Sequence, residues 1–582
     1  MVDMASWSVT ATQFLNRVHS RLAARAGSAT AFVSQPEPRT TGQLARGRQL
    51  CAGNLMFAGY LAEGKGAMIW DIEVEDRAWH EEIHAFRWLD DLAALGDAEA
   101  RKLAQDWLMG WIARYGRGSG PGWVPELAGR RLIRWIHHAL FLLRGMSAED
   151  SAAFYRALAA QTRFLAKRRG AALPGLPRFE ALTGLIYAAL SLEGMRAYLD
   201  PARQALDLEC SRQIDVAGGL STRNPEELLE VFTLLTWARA ALEEADLEPG
   251  GAHLNAITRI APTLRALRHA DGGLARFHGG GRGAEGRLDQ ALAASGVRRR
   301  PIEGLAMGCA RLAGGRSTVI VDAAPPPQGR ASAGAHASTL AFELTSGRRP
   351  LIVSCGAGSV FGEEWRRAAR ATPSHSTLCL DGTSSARLGE RKRIGGIERE
   401  LIVEGPREVP VELAQDAAGW RFEAAHDGYK RSHGLTHARQ LELSLDGRTL
   451  DGEDMLFALD AKDRKTFDKR LDRGGLEGFR YEIRFHLHPE VDADLDMAGA
   501  AVSLGLRSGE IWVLRPEPGV KMALEASVYL ENGRLRPRGA QQVVLSGRVM
   551  EYATRIRWSL AKAQDTAIAI RDLGQDEPDV TL

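Results

Sequence analysis

The sequence predicts an α+β multidomain chain, an N-terminal incomplete (α/α) toroid followed by a C-terminal antiparallel β-sandwich. Apolar residues recur at helical spacing from about residue 75 to 270, and after about residue 300 the period becomes two. Between the two regimes lies a Gly/Arg-rich stretch, 271–300, inside which the helical part is expected to end. The chain divides accordingly into an N-terminal amphipathic extension (1–50), a toroid domain (51–295) and a β-sandwich domain (300–582).

At the N-terminus, Phe14, Leu15, Val18 and Leu22 are spaced as the apolar face of an amphipathic helix. Helical periodicity then recurs in Ala85-Phe86-Trp88-Leu89-Leu92, Trp107-Leu108-Trp111-Ile112, Leu132-Ile133-Trp135-Ile136-Leu140 and Leu228-Leu229-Val231-Phe232-Leu235. Short Gly/Pro turns (116–122, 174–177, Gly218-Gly219, Gly250-Gly251) separate these runs, as in antiparallel helix pairs stacked as a solenoid or closed into a ring. No fixed-length repeat is present, which favours an irregular toroid. In the second half, strands are expected at 317–321, 338–344, 351–354, 376–380, 401–403, 440–445, 480–486, 501–506, 521–529 and 540–545. The turn pairs Asp381-Gly382, Asp446-Gly447 and Asn532-Gly533 punctuate them, and strands in succession without intervening helices describe a sandwich.

Composition sets the outer limits. The 582 residues are too many for one ordinary domain, and 45% hydrophobic with 25% charged residues exclude a disordered, collagenous or disulfide-scaffold protein. A formal net charge of +2 gives no overall field to attract nucleic acid or anionic lipid. The five cysteines are scattered, odd in number and lack a CxxC, which fits buried or reduced thiols. No stretch is apolar for the ~18 residues a spanning helix needs, and the N-terminus has no signal-peptide pattern, so it reads as cytoplasmic. GGGRG (279–283) lacks the ending of a phosphate loop, and neither GxSxG nor HExxH occurs.

Six segments carry a family resemblance. They are GWVPELAGRRLIRWIHH (122–138), GGLSTRNPEELLEVF (218–232), HADGGLARFHGGGRG (269–283), HASTLAFELTSGRRPLIVSCG (336–356), WRRAARATPSHSTLCLDGTSSA (365–386) and HDGYKRSHGLTHARQLEL (426–443). In these the chain resembles the heparinase II/III-like proteins over most of residues 50–570. The resemblance implies a polysaccharide lyase that cleaves uronic-acid-containing glycans by β-elimination, an acidic polysaccharide as partner, and a periplasmic or envelope location. Such chemistry needs a group that neutralises the uronate carboxylate, a base for the C5 proton and an acid for the leaving oxygen. Where family lyases carry an Asn-His pair, this chain has Arg178-Phe179; after Arg223-Asn224-Pro225, where a Tyr is expected, stand Glu226-Glu227-Leu228. Of the His-x-His-x-Asp motif only His336 remains, in Gly334-Ala335-His336-Ala337-Ser338. The alternative implied by these losses is a non-catalytic glycan-binding or envelope-assembly protein on the lyase fold.

The candidate catalytic set is therefore His336, Arg178 (carboxylate neutralisation), Tyr187 and Glu227 (proton transfer), against the competing reading of charges on solvated helix faces. Substrate-binding candidates are Arg131, Trp135 and His138, which share a helix face, and Tyr429 and His433 in the loop between strands. Core packing competes for the first group and an ordinary turn for the second. Some relatives bind zinc in the sandwich, and the matching positions are His336, Ser354 and His375, with Cys355 beside the serine. A hydrogen-bonded pair of buried histidines is the alternative, and alternation along a strand would turn Cys355 the other way.

Overall fold

The structure, a computed structural model, describes residues 2–27, 29–394, 396–473 and 477–563, so the end of the expected sandwich segment, 564–582, lies outside the described residues. The first half is helical. Its longer helices are α1 (Val2–Arg25), α2 (Leu44–Ala52), α3 (Arg77–His84), α4 (Arg87–Leu95), α5 (Ala98–Tyr115), α6 (Pro125–His137), α7 (Ala139–Leu143) and α8 (Ala148–Arg168). They continue with α9 (Leu176–Ser191), α10 (Leu199–Gln213), α11 (Pro225–Glu243), α12 (Gly251–Ala266) and α13 (Arg287–Ser295). A small hairpin, β1 (Asn54–Phe57) and β2 (Tyr60–Glu63), is inserted among them.

Helix α9 is the centre of this half. Every residue from Phe179 to Ser191 is buried, as expected for a helix apolar on all sides and surrounded by others. It meets α6 at an unusually close crossing: a Cβ on Gly184 would stand 2.5 Å from the Gly129 Cα. Both glycines are required there because the two backbones touch. The tryptophans Trp79, Trp88, Trp107, Trp111 and Trp135 fill the core around them.

Helix α1, from the segment expected to be an amphipathic extension, packs on this module. Helix α1 lies along α8, with Arg168 Nε donating to Asn16 Oδ1 at 2.7 Å, and Ser20 Oγ donates to the Gly118 carbonyl at 2.7 Å. The face that packs is not the apolar one read from the sequence. Asn16, Ser20 and Ala23 are buried, whereas Phe14 and Leu22 are 62% and 56% exposed. Close approach of the Gly118 turn requires small side chains on α1, and that requirement overrides hydrophobic periodicity.

The second half begins with β3 (Cys309–Gly314), β4 (Ser317–Asp322), β5 (Phe342–Ser346), β6 (Arg349–Val353) and β7 (Leu378–Leu380). It continues with β8 (Arg387–Ile394), β9 (Ile397–Glu404), β10 (Val411–Gln415), β11 (Gly419–His426), β12 (Thr436–Ser444), β13 (Thr449–Phe457) and β14 (Phe479–Leu487). The last strands are β15 (Asp492–Asp496), β16 (Ala501–Gly505), β17 (Ile511–Pro516), β18 (Lys521–Tyr529), β19 (Arg538–Val549) and β20 (Ala553–Lys562). One sheet runs β18-β19-β14-β6-β5-β4-β3, with β7 also on β14; the other runs β10-β11-β12-β13-β20-β17-β16-β15. All pairings are antiparallel, and β8 and β9 form a separate hairpin.

Strand β4 is buried along its whole length. Val319 and Val321 enter the sandwich core, while Ile320 belongs to the helical core with Cys309 and Ala341. A strand packed on both faces loses the polar alternation that a half-exposed strand shows. The two modules thus share one continuous apolar contact. The expected strand 338–344 starts only at Phe342, because residues 338–341 form a tight turn, with Ala341 N–H donating to the Ser338 carbonyl at 2.8 Å.

Candidate functional site at the junction

Asp322, at the end of β4, is the hub where the modules meet. It is fully buried and receives Arg223 Nη2 at 2.5 Å and Ser338 Oγ at 2.6 Å, with His278 Nε2 at 3.2 Å. Arg223 comes from the turn before α11, and its remaining N–H groups reach the carbonyls of Met307 (3.1 Å), Gly308 (2.9 Å), Ala324 (3.2 Å) and Pro325 (2.8 Å). Burial pushes the Asp322 carboxyl up, but Arg223 and His278 more than offset it and hold the group well below the usual carboxylate range. Four non-glycine residues around this hub have left-handed φ: Arg223 (51°), His278 (51°), Met307 (48°) and Leu340 (65°). Such backbones persist only where surrounding bonds over-determine them, and here Arg223 bonds the carbonyls on either side of the turn.

The histidines lie beside this hub. The His336 backbone N–H donates to His278 Nδ1 at 3.3 Å, which leaves the His278 proton on Nε2, facing Asp322. The His336 and His375 rings are 4.9 Å apart at 37°, and His375 Nδ1 lies 3.1 Å from Ser354 Oγ. Burial depresses the His375 imidazole to about 3 and that of His336 well below its ordinary value, so both are neutral. His336 Nδ1 and His375 Nε2 make no hydrogen bond among the described residues.

A second buried carboxylate, Glu343 on β5, pins the segment that crosses between the modules. It accepts from His269 Nε2 (3.2 Å), Arg276 Nε (3.2 Å), Arg276 N (3.1 Å) and Ser354 N (3.0 Å). Burial raises this carboxyl and Arg276 and His269 lower it further, to about 2. The 271–300 stretch is therefore a bonded strut: Leu274, Ala275 and Phe277 are buried and α13 packs back on α11.

Residues 296–559 match the profile of the family described as Heparinase II/III-like, C-terminal. The chain is 31% identical over 535 residues to FtsZ-localized protein C of Caulobacter vibrioides (strain NA1000 / CB15N), covering 89% of this chain and 88% of that protein. The chain belongs to the heparinase II/III-like family. Its fold is that of solved family lyases. It superposes on the crystal structure of heparinase III with a TM-score of 0.65 at 12% identity, over 93% of this chain and 88% of that one. A heparan sulfate lyase mutant from Pedobacter heparinus gives 0.58 at 13% identity, over 95% and 88%.

Within this heparinase II/III-like chain the sequence-derived candidates separate into groups. His336 and His375 are together. Cys355 is not with them: its Sγ faces His486 Nδ1 at 3.5 Å, as strand alternation allows. Among the described residues no group of three or more His, Cys, Asp or Glu side chains is arranged to hold a metal ion. Two imidazoles with a serine hydroxyl do not fit the three or four ligands of a zinc site.

In the helical module Tyr187 is wholly buried, with its hydroxyl donating to the Trp237 carbonyl at 3.2 Å and burial raising its phenol. Arg178 is held by Glu209 Oε2 at 3.2 Å and donates to the Ala172 carbonyl at 2.7 Å. Burial, and then the adjacent Glu180, push the Glu227 carboxyl up. Arg131, Trp135 and His138 do not form an open binding face. Arg131 is wholly buried, bonded to Gln161 Oε1 (2.8 Å) and the His84 carbonyl (2.9 Å), and lies over the Trp111 ring at 4.4 Å. Trp135 stacks on Phe154 at 5.5 Å, and His138 Nε2 sits 2.9 Å from Asp90 Oδ1.

Tyr429 and His433 lie inside the sandwich. The Tyr429 hydroxyl donates to the Leu378 carbonyl at 3.0 Å, and His433 Nε2 is 3.2 Å from Asp381 Oδ2. The neighbouring pair Arg439 and Asp454, register partners on β12 and β13, is also fully buried. Sequence reasoning missed Asp322, Glu343, His269, His278 and the role of Arg223. The available signal was the pairing of a charged residue with strands that are otherwise apolar, as in Ser317-Thr318-Val319-Ile320-Val321-Asp322.

Proposed function

We propose that this chain is a non-catalytic member of its family, an envelope-assembly protein that keeps the lyase frame and works where FtsZ assembles. The observation that carries this reading is the state of the proton-transfer candidates. Tyr187 is buried and bonded to the Trp237 carbonyl, His336 is buried beside His278 and His375, the partly exposed Arg178 is held by Glu209, and Glu227 is half-buried with its carboxyl pushed up by burial. A base that takes the C5 proton of a uronate must reach the substrate at hydrogen-bonding distance.

Charge supports the same conclusion. The N-terminal ends of α6, α9 and α11 carry Glu126, Glu180 and Glu227, and Glu180 raises the carboxyl of each of the other two, after burial itself. The cations beside them are spent, Arg130 on Glu180 at 2.6 Å and Arg178 on Glu209 at 3.2 Å. A polyuronate entering there would meet carboxylates rather than the cation that enolate formation requires. The relative from Caulobacter vibrioides is named for its localisation with FtsZ, which supports a division-site role for this chain. Among the described residues no helix is long and apolar enough to cross a membrane.

Two measurements test the reading. Incubation with a panel of uronate polymers should give no rise in the ultraviolet absorbance of an unsaturated uronate product. A fluorescent fusion in the native host should gather at the division site and disperse when FtsZ is depleted. Turnover of any polymer, or a fusion indifferent to FtsZ, would overturn the proposal.

A further inference from the structure

A cavity of about 480 Å³ lies between α1, α3 and the turn at 118–124, within the size range of small-molecule sites. Its construction is unusual for a helix pair. Helix α1 turns Gln13, Asn16, Arg17 and Ser20 towards it, and α3 turns Arg77, His80, Glu81 and His84. Both sets follow i, i+3, i+4, i+7 spacing, so two polar stripes face each other where apolar stripes ordinarily meet. The apolar side chains Phe14 and Leu22 of α1 are left exposed. Pro121, Trp123, Val124 and Leu127 supply an apolar floor. The tip of the β8–β9 hairpin reaches the rim from the sandwich: a Cβ on Gly396 would stand 3.5 Å from Val9, 3.7 Å from Gln13 Nε2 and 3.8 Å from Arg77.

One deeply buried polar group of the lining has a free donor. His84 is 1% exposed, and its Nδ1 accepts from Trp111 Nε1 at 3.0 Å, so its proton is on Nε2. That nitrogen makes no hydrogen bond among the described residues, and His84 lines the cavity. Burial and the nearby Arg131 keep the ring neutral. Charges of both signs stand around the rim. Arg77 and Glu81 pair at 2.6 Å, while Arg17 on one wall and Glu75 on the other have no ion-pair partner among the described residues. Among the described residues the lining charges balance, with Arg17 and Glu75 unpaired on opposite walls.

We propose that this cavity binds a small zwitterion, an amino acid or short peptide, whose carboxylate meets Arg17 and whose ammonium meets Glu75. The His84 Nε2 proton and the Asn16 amide then serve the peptide carbonyl. The site is separate from the junction around Asp322, and it stands whether or not the family chemistry is retained.

Titration calorimetry on the full chain tests it with alanylalanine, N-acetyl-alanylalanine, alanylalanine amide and a uronate disaccharide. Alanylalanine should bind one to one, and each blocked form at least tenfold more weakly. Arg17→Ala should bring the free dipeptide down to the level of the amide, and Glu75→Gln to that of the acetylated form. Gln13→Trp, which fills the space from an exposed position, should abolish binding while the thermal unfolding transition stays in place. Absence of heat with alanylalanine, equal binding of the blocked forms, preference for the uronate, or unchanged binding by Gln13→Trp would each overturn the assignment.

Discussion

Acidification should destabilise this protein before Asp322 and Asp454 titrate, with the burial-raised carboxyls of Asp91 (about 6) and Glu227 opposing the trend in part. Burial holds the imidazoles of His84, His137 and His375 at about 3 and that of His486 at about 4. These rings are neutral in the folded protein at mildly acidic pH, whereas in the unfolded chain they take up protons near 6.5. As pH falls below that value the unfolded state binds protons first, so stability is complete above it and is lost down towards the folded values. Between about pH 7.5 and 5.5 each ring costs roughly 1–1.5 kcal/mol, and the four together on the order of 5 kcal/mol, from which proton uptake by the raised Asp91 carboxyl takes back about 1 kcal/mol. That is comparable to the whole stability of an ordinary domain. Asp322 and Asp454, both held below the usual carboxylate range, act in the same direction only below about pH 4, so the two windows do not overlap. Urea denaturation at constant ionic strength should show the midpoint falling steeply across the upper window. Replacing His375 with Gln should reduce the pH slope by about one proton. A midpoint that stays level between about pH 7.5 and 5.5 would refute the assignment of these histidines as buried and neutral.

Other outcomes follow from single contacts. Arg439→Met should destabilise by about 3–5 kcal/mol in chemical denaturation, because it leaves Asp454 charged and buried beside His437 and Trp558. Gly184→Ala should cost about 1–3 kcal/mol, since its Cβ would stand 2.5 Å from the Gly129 Cα, and thermal unfolding would register the shift. Arg223→Ala should cost a similar 3–5 kcal/mol, roughly, and should expose the module junction to limited proteolysis, because Asp322 loses its cation. Zinc analysis of purified protein should give the same substoichiometric content for the natural chain, His336→Ala and His375→Ala, because Cys355 faces His486.

The sequence alone was enough to foresee a helical half followed by an antiparallel sandwich, because periodicity is a local property that each segment carries by itself. Strand 521–529 coincides with β18, and the turn at Asp446-Gly447 joins β12 to β13. Among the strands that were not foreseen, β8 and β15 are largely exposed and charged and show little apolar alternation, whereas β11 and β13 do alternate buried and more exposed residues. Family membership was also legible, from six short segments spread over both halves.

Tertiary structure decided which polar residues are available. Arg131, His138, Tyr429 and His433 read as surface groups on a helical wheel or in a loop, yet each is buried against a partner far away in sequence. Burial of a charge depends on a partner supplied by another element, and no local pattern encodes that partner. The same holds for α1, whose polar face turns inward because the Gly118 turn approaches too closely for its apolar one. Spacing along the chain fixed the elements, and long-range pairing of buried charge fixed what those elements leave open to a ligand.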